Sequence, residues 1–456
     1  MSRLMVSVSG VRGEIGQTLT PEVAARFGAA FGTMLGAGKT VVVGRDSRPS
    51  GQMVRGAVIS GLLSCGVNVV DVGIVTTPGV SLMTRRLSAD GGVIITASHN
   101  PIQWNGIKFL RDSGLGLSVE QAGQLKAIWE SGQFSYVAPA QCGKESANTK
   151  THDTHVNVVL GLADVTGIAA KRFKVVLDSV NGAGCVATAV LLSKLGCELA
   201  HINGEPTGLF AHTPEPTAEN LTGLCAAVQK HRAAVGFAQD PDADRLALVD
   251  ENGTYIGEEY TLALSAAFVL SRRKGPVATN LSTSRMIDDV ARRAGVAVFR
   301  TPVGEANVGG RMIAEGCIFG GEGNGGVIDP RVVPVRDSLV GIALILGYMA
   351  DTGKTLSQLV AQLPRYEMIK TKFPCPADAA PKVASAAREH FASRAGANFD
   401  DSDGLRIDLS AGWVHVRASN TEPIMRIIGE APDRPAAQGL IDEVRAIADR
   451  VIGGEA

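Results

Sequence analysis

No stretch of the chain is long enough to span a bilayer: the longest apolar run, from Leu339 to Ala350, has about 12 residues where a membrane helix needs 18 or more. Net charge is missing too. Lys and Arg number 44 against 45 Asp and Glu, so no global field draws the protein to nucleic acid or to an anionic membrane. Any phosphate recognition has to be local. Cysteine is sparse, seven residues with no C-x-x-C spacing, which argues for buried thiols in a reducing compartment and against a disulfide framework or a zinc site. Near the amino end, Arg12 and Glu14 interrupt before a secretory apolar core could form. The expectation is a cytoplasmic protein, monomer or homodimer, with neither nucleic acid nor membrane as partner.

What is present is enough to fold. With 456 residues the prior is about three domains at ~150 residues each, and 45% apolar residues let each bury a core. Glycine is abundant, 54 residues, yet it punctuates short β-branched runs rather than forming a low-complexity tract. One grammar of run, helical stretch, run and polar loop occurs three times. It starts at TVVVGRDSR, restarts at VVLDSVNGAG from Val175, and appears again at VATNLSTS from Val277. Alternating strand and helix favours mainly parallel sheets. After residue 366 the pattern changes to apolar/polar alternation with turns, an α+β end domain. The expected division is 1–150, 151–254, 255–366 and 367–456: three similar α/β domains with mixed, mainly parallel sheets and a C-terminal α+β domain. In open parallel sheets ligands sit beyond the carboxyl ends of strands, so the loops that follow them are where chemistry belongs.

Four loops carry chemically useful groups. Thr96-Ala97-Ser98-His99-Asn100-Pro101 presents the Ser98 hydroxyl at a strand end, with no G-x-S-x-G elbow to suggest acyl transfer. Asp240, Asp242 and Asp244 alternate after the strand AAVGFAQ, and convergent carboxylates suit a hard cation, Mg²⁺ above others. An EF-hand is excluded because Arg245 stands where that loop needs glycine. In Gly320–Gly326 the glycines admit a ligand to the backbone, and Glu322 and Asn324 remain to read it; Glu322 could accept from two neighbouring sugar hydroxyls. Arg417-Ala418-Ser419-Asn420-Thr421-Glu422-Pro423, at a hairpin tip, offers a guanidinium, hydroxyls and backbone N–H groups as a phosphate cradle. Arg12, Arg45, Arg48 and Lys108 are further cations, each singly expected to be a surface or ion-pair residue. His152 and His155 lie in a polar stretch and are expected to be solvated. Gly36–Thr40 imitates the tail of a P-loop, but Thr33 replaces its first glycine.

TASHNP, DPDADR, GEGNGG and RASNTEP occur in the order and approximate spacing of the α-D-phosphohexomutases, and GRDSRPSG, NGIKF and HTPEPTAENL add secondary signatures. Over essentially its whole length the chain resembles that family. The resemblance implies four domains around a central cleft, Ser98 held as phosphoserine, and one Mg²⁺ bound by Ser98, Asp240, Asp242 and Asp244. It implies an isomerase that interconverts hexose 6-phosphate and hexose 1-phosphate through a hexose 1,6-bisphosphate. Mg²⁺, Arg245 and Lys108 would offset charge, Lys108 or His99 would move the proton, and Arg12 lies where the family places an active-site Arg. Arg417, Ser419, Asn420, Thr421 and Arg426 would hold the phosphate that is not reacting. Many members carry Ser at the position of Asn324 and several carry His at that of Gly326. TPVGEANV, with Glu305, looks like the version found in phosphoglucosamine mutases, where an acidic group could pair with a substrate ammonium. The expectation is therefore a phosphoglucosamine mutase. A phosphomannomutase or phosphoglucomutase is the alternative, followed by a sugar-phosphate phosphotransferase or phosphatase and a non-catalytic sugar-phosphate binder.

Overall fold

The computed structural model describes residues 4–376, 378–418 and 423–453, arranged as four sheets with their helices. The first sheet contains β1 (Met5–Ser7), β2 (Gly10–Glu14), β3 (Thr40–Arg45), β4 (Asn68–Ile74), β5 (Gly91–Ile95), β6 (Trp104–Arg111) and β7 (Glu145–Ala147), in the order β1-β2-β6-β5-β3-β4-β7. The second orders β8 (Lys174–Asp178), β9 (Glu198–Ile202), β10 (Val235–Gln239) and β11 (Leu246–Val249) as β11-β10-β8-β9. The third orders β12 (Val277–Asn280), β13 (Val298–Thr301), β14 (Phe319–Glu322) and β15 (Gly326–Ile328) as β13-β12-β14-β15.

These three sheets share one arrangement. In each, a central strand pairs in parallel with two neighbours (β3 with β4 and β5, β8 with β9 and β10, β12 with β13 and β14). The outer of those neighbours then returns as an antiparallel strand: β5 to β6, β10 to β11, β14 to β15. Every one of those returns follows one of the loops that the sequence singles out. The Ser98 loop joins β5 to β6, the aspartate loop joins β10 to β11, and the glycine loop joins β14 to β15. The parallel strands expected from the repeated grammar are present; the antiparallel return strand is built from WNGIKFLR in the first sheet and from the short runs LALV and GVI in the second and third.

The last sheet is fully antiparallel: β16 (Glu367–Pro374), β20 (Ile424–Ala431), β19 (Trp413–Ala418), β18 (Leu405–Asp408) and β17 (Asn398–Asp400), in that spatial order. The helices Ala380–Ala392 and Arg434–Gly453 cover it, and its core is separate.

The longest apolar run becomes the helix Ser338–Thr352, buried almost all round. It packs into the core shared by the second and third sheets, which is why its sequence shows no polar face. Asp337 caps it by accepting from the N–H groups of Leu339 and Val340. The expectation that His155 is solvated is wrong. It lies in the helix Thr151–Leu160, 1% exposed, with Nε2 2.6 Å from Asp337 Oδ2 and Nδ1 3.3 Å from Thr76 Oγ1. His152, on the same helix, is partly buried.

Candidate active site

Ser98 sits just beyond β5 with φ of 51°, a left-handed conformation that costs a non-glycine residue about 1–2 kcal/mol. Its surroundings hold it there. Arg48, completely buried, directs NH2 to the carbonyls of Ser98 and Asn100 (both 2.7 Å) and NH1 to those of Pro101 (2.8 Å) and Trp104 (2.9 Å). Its Nε reaches Asp46 Oδ2 at 3.1 Å, so all five of its donors are used. Asp46 also accepts from Thr96 Oγ1, which in turn accepts from the N–H of Ser98. Arg48 is therefore the internal scaffold of the serine loop rather than a surface cation. The ring of Phe210, from the second domain, lies 4.9 Å from its guanidinium.

The aspartate loop meets this serine directly. Ser98 Oγ is 3.1 Å from Asp240 Oδ2, although 142 residues separate them in the chain. Pro241 stops the β10 ladder, and the turn closes on Asp240 Oδ1, which accepts from the N–H groups of Asp244 and Arg245. Asp242 Oδ2 accepts from Thr77 Oγ1 at 2.7 Å and from Lys108 Nζ at 2.9 Å. Asp244 Oδ2 accepts from Arg336 NH2 at 2.6 Å. The other oxygen of each, Asp242 Oδ1 and Asp244 Oδ1, is buried without a partner. One oxygen from each aspartate lies within 4.8 Å of the others. Three buried carboxylates this close together, two of them with an oxygen that accepts no hydrogen bond, are a donor set for a hard divalent cation, and these residues fit one.

The electrostatics follow from this crowding. Burial and the charges of Asp244 and Asp242 push Asp240 well above the usual carboxylate range. Burial acts on Asp242 as well, but Lys108 and Thr77 outweigh it and hold that carboxyl below the ordinary range. Burial likewise opposes the charge of Lys108, yet Asp242, Asp244 and Glu305 raise its pKa, so it stays an ammonium. His99, whose Nδ1 is 3.3 Å from Ser98 Oγ, is pushed down to about 2 by burial and by Arg245 and Arg12. It is a neutral imidazole. Arg12 NH1 bonds Asn100 Oδ1 at 3.2 Å and feels the charges of Asp242 and Asp244. Arg245 keeps a buried Nε without a hydrogen-bond partner, 3.9 Å from Asp244 Oδ1.

The third loop joins through Arg336, which sequence reasoning missed. Its NH1 is 2.6 Å from Glu322 Oε2, its Nε and backbone N are each 3.0 Å from Glu305 Oε2, and its NH2 is the Asp244 partner already described. Glu322 also accepts from Asn280 Nδ2 and the N–H of Gly304. Three of its roughly four acceptor positions are thus filled, which leaves room to read one ligand hydroxyl rather than two. Glu305 Oε1 accepts from no described residue, and Asn324 Oδ1 is buried and unpartnered. Thr77 was also unforeseen; its only sequence signal is the Thr-Thr-Pro start of a helix, with Thr76 as cap.

The fourth loop is flanked by β19 and β20, which pair antiparallel as far as Ala418 and Met425. Ser419, Asn420 and Thr421 lie outside the described residues. Arg417 pairs with Asp403 at 3.4 Å and keeps a buried Nε without a partner. Arg426, opposite it on β20, is exposed.

Known proteins carry the same organisation. Four phosphoglucomutase/phosphomannomutase domains match in order: alpha/beta/alpha domain I at residues 3–136, domain II at 153–253, domain III at 257–366 and the C-terminal domain at 368–447. A phosphoglucomutase/phosphomannomutase of Thermococcus kodakarensis is 41% identical over 439 residues, 95% of this chain and 96% of that protein. A Methanopyrus kandleri protein named "Probable phosphoglucosamine mutase" is 38% identical over 446 residues, 97% of each chain. Among solved structures, a phosphoglucomutase/phosphomannomutase family protein of Burkholderia thailandensis superposes with a TM-score of 0.85 at 29% identity, covering 98% of both chains. With four domains matched in order and relatives aligned over nearly their whole length, this chain belongs to the phosphoglucomutase/phosphomannomutase family.

Proposed function

We propose that the protein is a phosphohexomutase, an isomerase that moves a phosphoryl group between O6 and O1 of a hexose by way of Ser98. The observation that carries this reading is the 3.1 Å approach of Ser98 Oγ to Asp240 at the edge of the three-aspartate cluster. A hydroxyl poised over a cation site is what a phosphoserine relay needs. Asp240, Asp242, Asp244 and an oxygen on Ser98 would hold one Mg²⁺. Once bound, that ion neutralises charge on the transferring phosphoryl group.

The protein's own groups account for the rest. In the forward half-reaction the bond between phosphorus and Ser98 Oγ breaks as one forms to the free hydroxyl of the hexose monophosphate. The attacking hydroxyl gives up its proton and the departing Ser98 Oγ takes one up; His99, its pKa held at about 2 by burial and by Arg245 and Arg12, is a poor acceptor until the phosphoryl dianion on Ser98 offsets those charges. Lys108, kept cationic, and Arg245, with an unused Nε, offset the anionic charge. The resulting 1,6-bisphosphate turns over so that its other phosphate returns to Ser98. Arg417, with Ser419, Asn420, Thr421 and Arg426, would hold the spectator phosphate meanwhile. Glu322 and Asn324 would read the hydroxyls of the ring.

For the sugar we infer glucosamine phosphate, because Oε1 of Glu305, which accepts from none of the described residues, can accept from an ammonium, and relatives aligned over 97% of the chain bear the phosphoglucosamine mutase name. Glucose and mannose phosphates are the competing reading, favoured by the name of the T. kodakarensis relative. The test is a panel of the three hexose 1-phosphates with the Ser98-phosphorylated protein and Mg²⁺. Faster turnover of glucosamine 1-phosphate is expected, and equal or faster turnover of the others would overturn the sugar assignment. Ser98→Ala is expected to lose turnover and the added phosphate mass together; retention of wild-type turnover would refute the relay itself.

A further inference from the structure

Among the described residues, Arg336 is the guanidinium that hydrogen-bonds both the cation loop, at Asp244, and the sugar-reading loop, at Glu322. Its side chain is 10% exposed, and each of its contacts engages only one oxygen of a carboxylate: Asp244 Oδ2, Glu322 Oε2 and Glu305 Oε2. The opposite oxygen of Glu322 is taken by Asn280 and the N–H of Gly304, but those of Asp244 and Glu305 are left for ligands. Among the described residues, Asp244 Oδ1 is buried without a hydrogen-bond partner and Glu305 Oε1 accepts from none. A planar fork has fixed angles between its donors, so it cannot follow one carboxylate without pulling on the others. Its base is equally constrained. The next residue, Asp337, caps the buried helix Ser338–Thr352 and is tied to His155.

Gly326, across the hairpin from Glu322, completes the seat. A Cβ at this position would fall on Cδ of Arg336, well inside contact distance, and 2.7 Å from its Cγ. Its backbone is not in the left-handed region that would itself demand glycine. The side-chain stem of Arg336 therefore occupies the space that any other residue at 326 would need.

We propose that Arg336 is a positioning residue that makes cation binding at Asp240, Asp242 and Asp244 and sugar recognition at Glu305 and Glu322 depend on each other, with Gly326 left bare to seat it. The proposal rests on the mutase reading of these two subsites. A bound cation draws Asp244 toward itself; the guanidinium transmits that displacement to Glu322 and Glu305, and a bound sugar acts in the reverse sense. Such coupling must be reciprocal.

The unphosphorylated protein, which has no phosphoryl group to transfer, allows the coupling to be read without turnover. Mn²⁺ affinity is measured by electron paramagnetic resonance with and without glucosamine 6-phosphate, and with inorganic phosphate to account for the phosphate charge alone. In the wild type the sugar phosphate is expected to tighten Mn²⁺ about tenfold more than inorganic phosphate does, within the usual span of coupling energies. In Arg336→Lys, which keeps the charge but not the fork, and in Gly326→Ala, which keeps every charged group but displaces the stem, the two factors should become equal. A purely structural role would weaken both ligands and leave the wild-type ratio in place, and that result would overturn the proposal. So would a wild type that binds both ligands with no excess coupling, leaving the functional reading intact. A wild type that binds neither Mn²⁺ nor glucosamine 6-phosphate would bring down both.

Discussion

Replacing Arg48 by Lys tests how the nucleophile is positioned without touching the nucleophile. The guanidinium makes five hydrogen bonds, four of them to carbonyls between Ser98 and Trp104. A lysine ammonium has three donors, so at least two of the bonds are lost. A hydrogen bond from a charged donor is worth about 1.5–3 kcal/mol, which puts the loss at roughly 3–6 kcal/mol. That exceeds the ~1–2 kcal/mol that the left-handed Ser98 stores, so the loop should relax rather than merely soften. The charge beside Asp46 is retained, and the three other sheets should remain folded. Hydrogen exchange is the assay: the N–H groups of Ser98, Asn100 and Trp104, now bonded within the loop, should exchange on the order of a hundredfold faster. Amides of the C-terminal domain should be unchanged. Mutase turnover should fall at least about tenfold, the least that 1.4 kcal/mol of mispositioning would cost. Wild-type exchange in residues 98–104 with wild-type turnover would show that Arg48 does not hold the loop.

Thr77→Val keeps the shape and removes one donor to Asp242, while the backbone bond from the N–H of Thr77 to the carbonyl of Asp242 stays. The fold should persist and the divalent-cation requirement should rise about 10- to 100-fold, as for other groups that orient metal ligands, read from turnover against Mg²⁺ concentration. An unchanged Mg²⁺ dependence would contradict the fit of the aspartate cluster to a cation. Glu259 is raised to about 8, mainly by burial. Its folded pKa lies above its unfolded value, so the stability it contributes is present below pH ~4.5 and is lost as pH rises toward 8. Glu259→Gln should therefore melt higher than the wild type at pH 9 and differ less at pH 5; an equal difference at both pH values would count against it.

What could be read from the sequence is what is local. Ser98 and the three aspartates follow apolar strand runs and sit in short loops with Pro or alternating acids, so both position and chemistry are visible within about ten residues. The triple repeat of strand and helix is visible for the same reason. What escaped depends on partners far along the chain: Arg48 serves a loop 50 residues away, Thr77 an aspartate 165 residues away, Arg336 an aspartate 92 residues away. A lone Arg or Thr carries no periodic signal. Arg336 had a weak one, since Arg-Asp-Ser directly precedes the long apolar run and Asp at a helix start is a cap, which places Arg336 at the mouth of a buried helix. His155 has polar neighbours in sequence, which point to solvent, whereas the fold surrounds it with Asp337 and Thr76. Two of the antiparallel return strands, β11 and β15, are only four and three residues long and merge in sequence with the loops they follow.

Charge balance at the site leads to a last prediction. Asp240, Asp242, Asp244, Glu305 and Glu322 oppose Lys108, Arg245, Arg336 and Arg12, so at formal charges five carboxylates face four cations. A divalent ion converts the single excess negative charge into a single excess positive one, and a phosphoryl dianion on Ser98 converts it back. Neither addition alone leaves the cluster nearer neutrality, whereas each offsets the other. Phosphorylation of Ser98 should accordingly tighten the divalent cation. Two unit charges about 4 Å apart interact by about 4 kcal/mol at an effective dielectric of about 20. Even a quarter of one such interaction, about 1 kcal/mol, is roughly a fivefold change in affinity. Titrating Mn²⁺ into phosphorylated and unphosphorylated protein without sugar measures this directly. Equal affinities would mean that the cation does not share its surroundings with the serine phosphate, and the assignment of Ser98 and the three aspartates to one site would have to be abandoned.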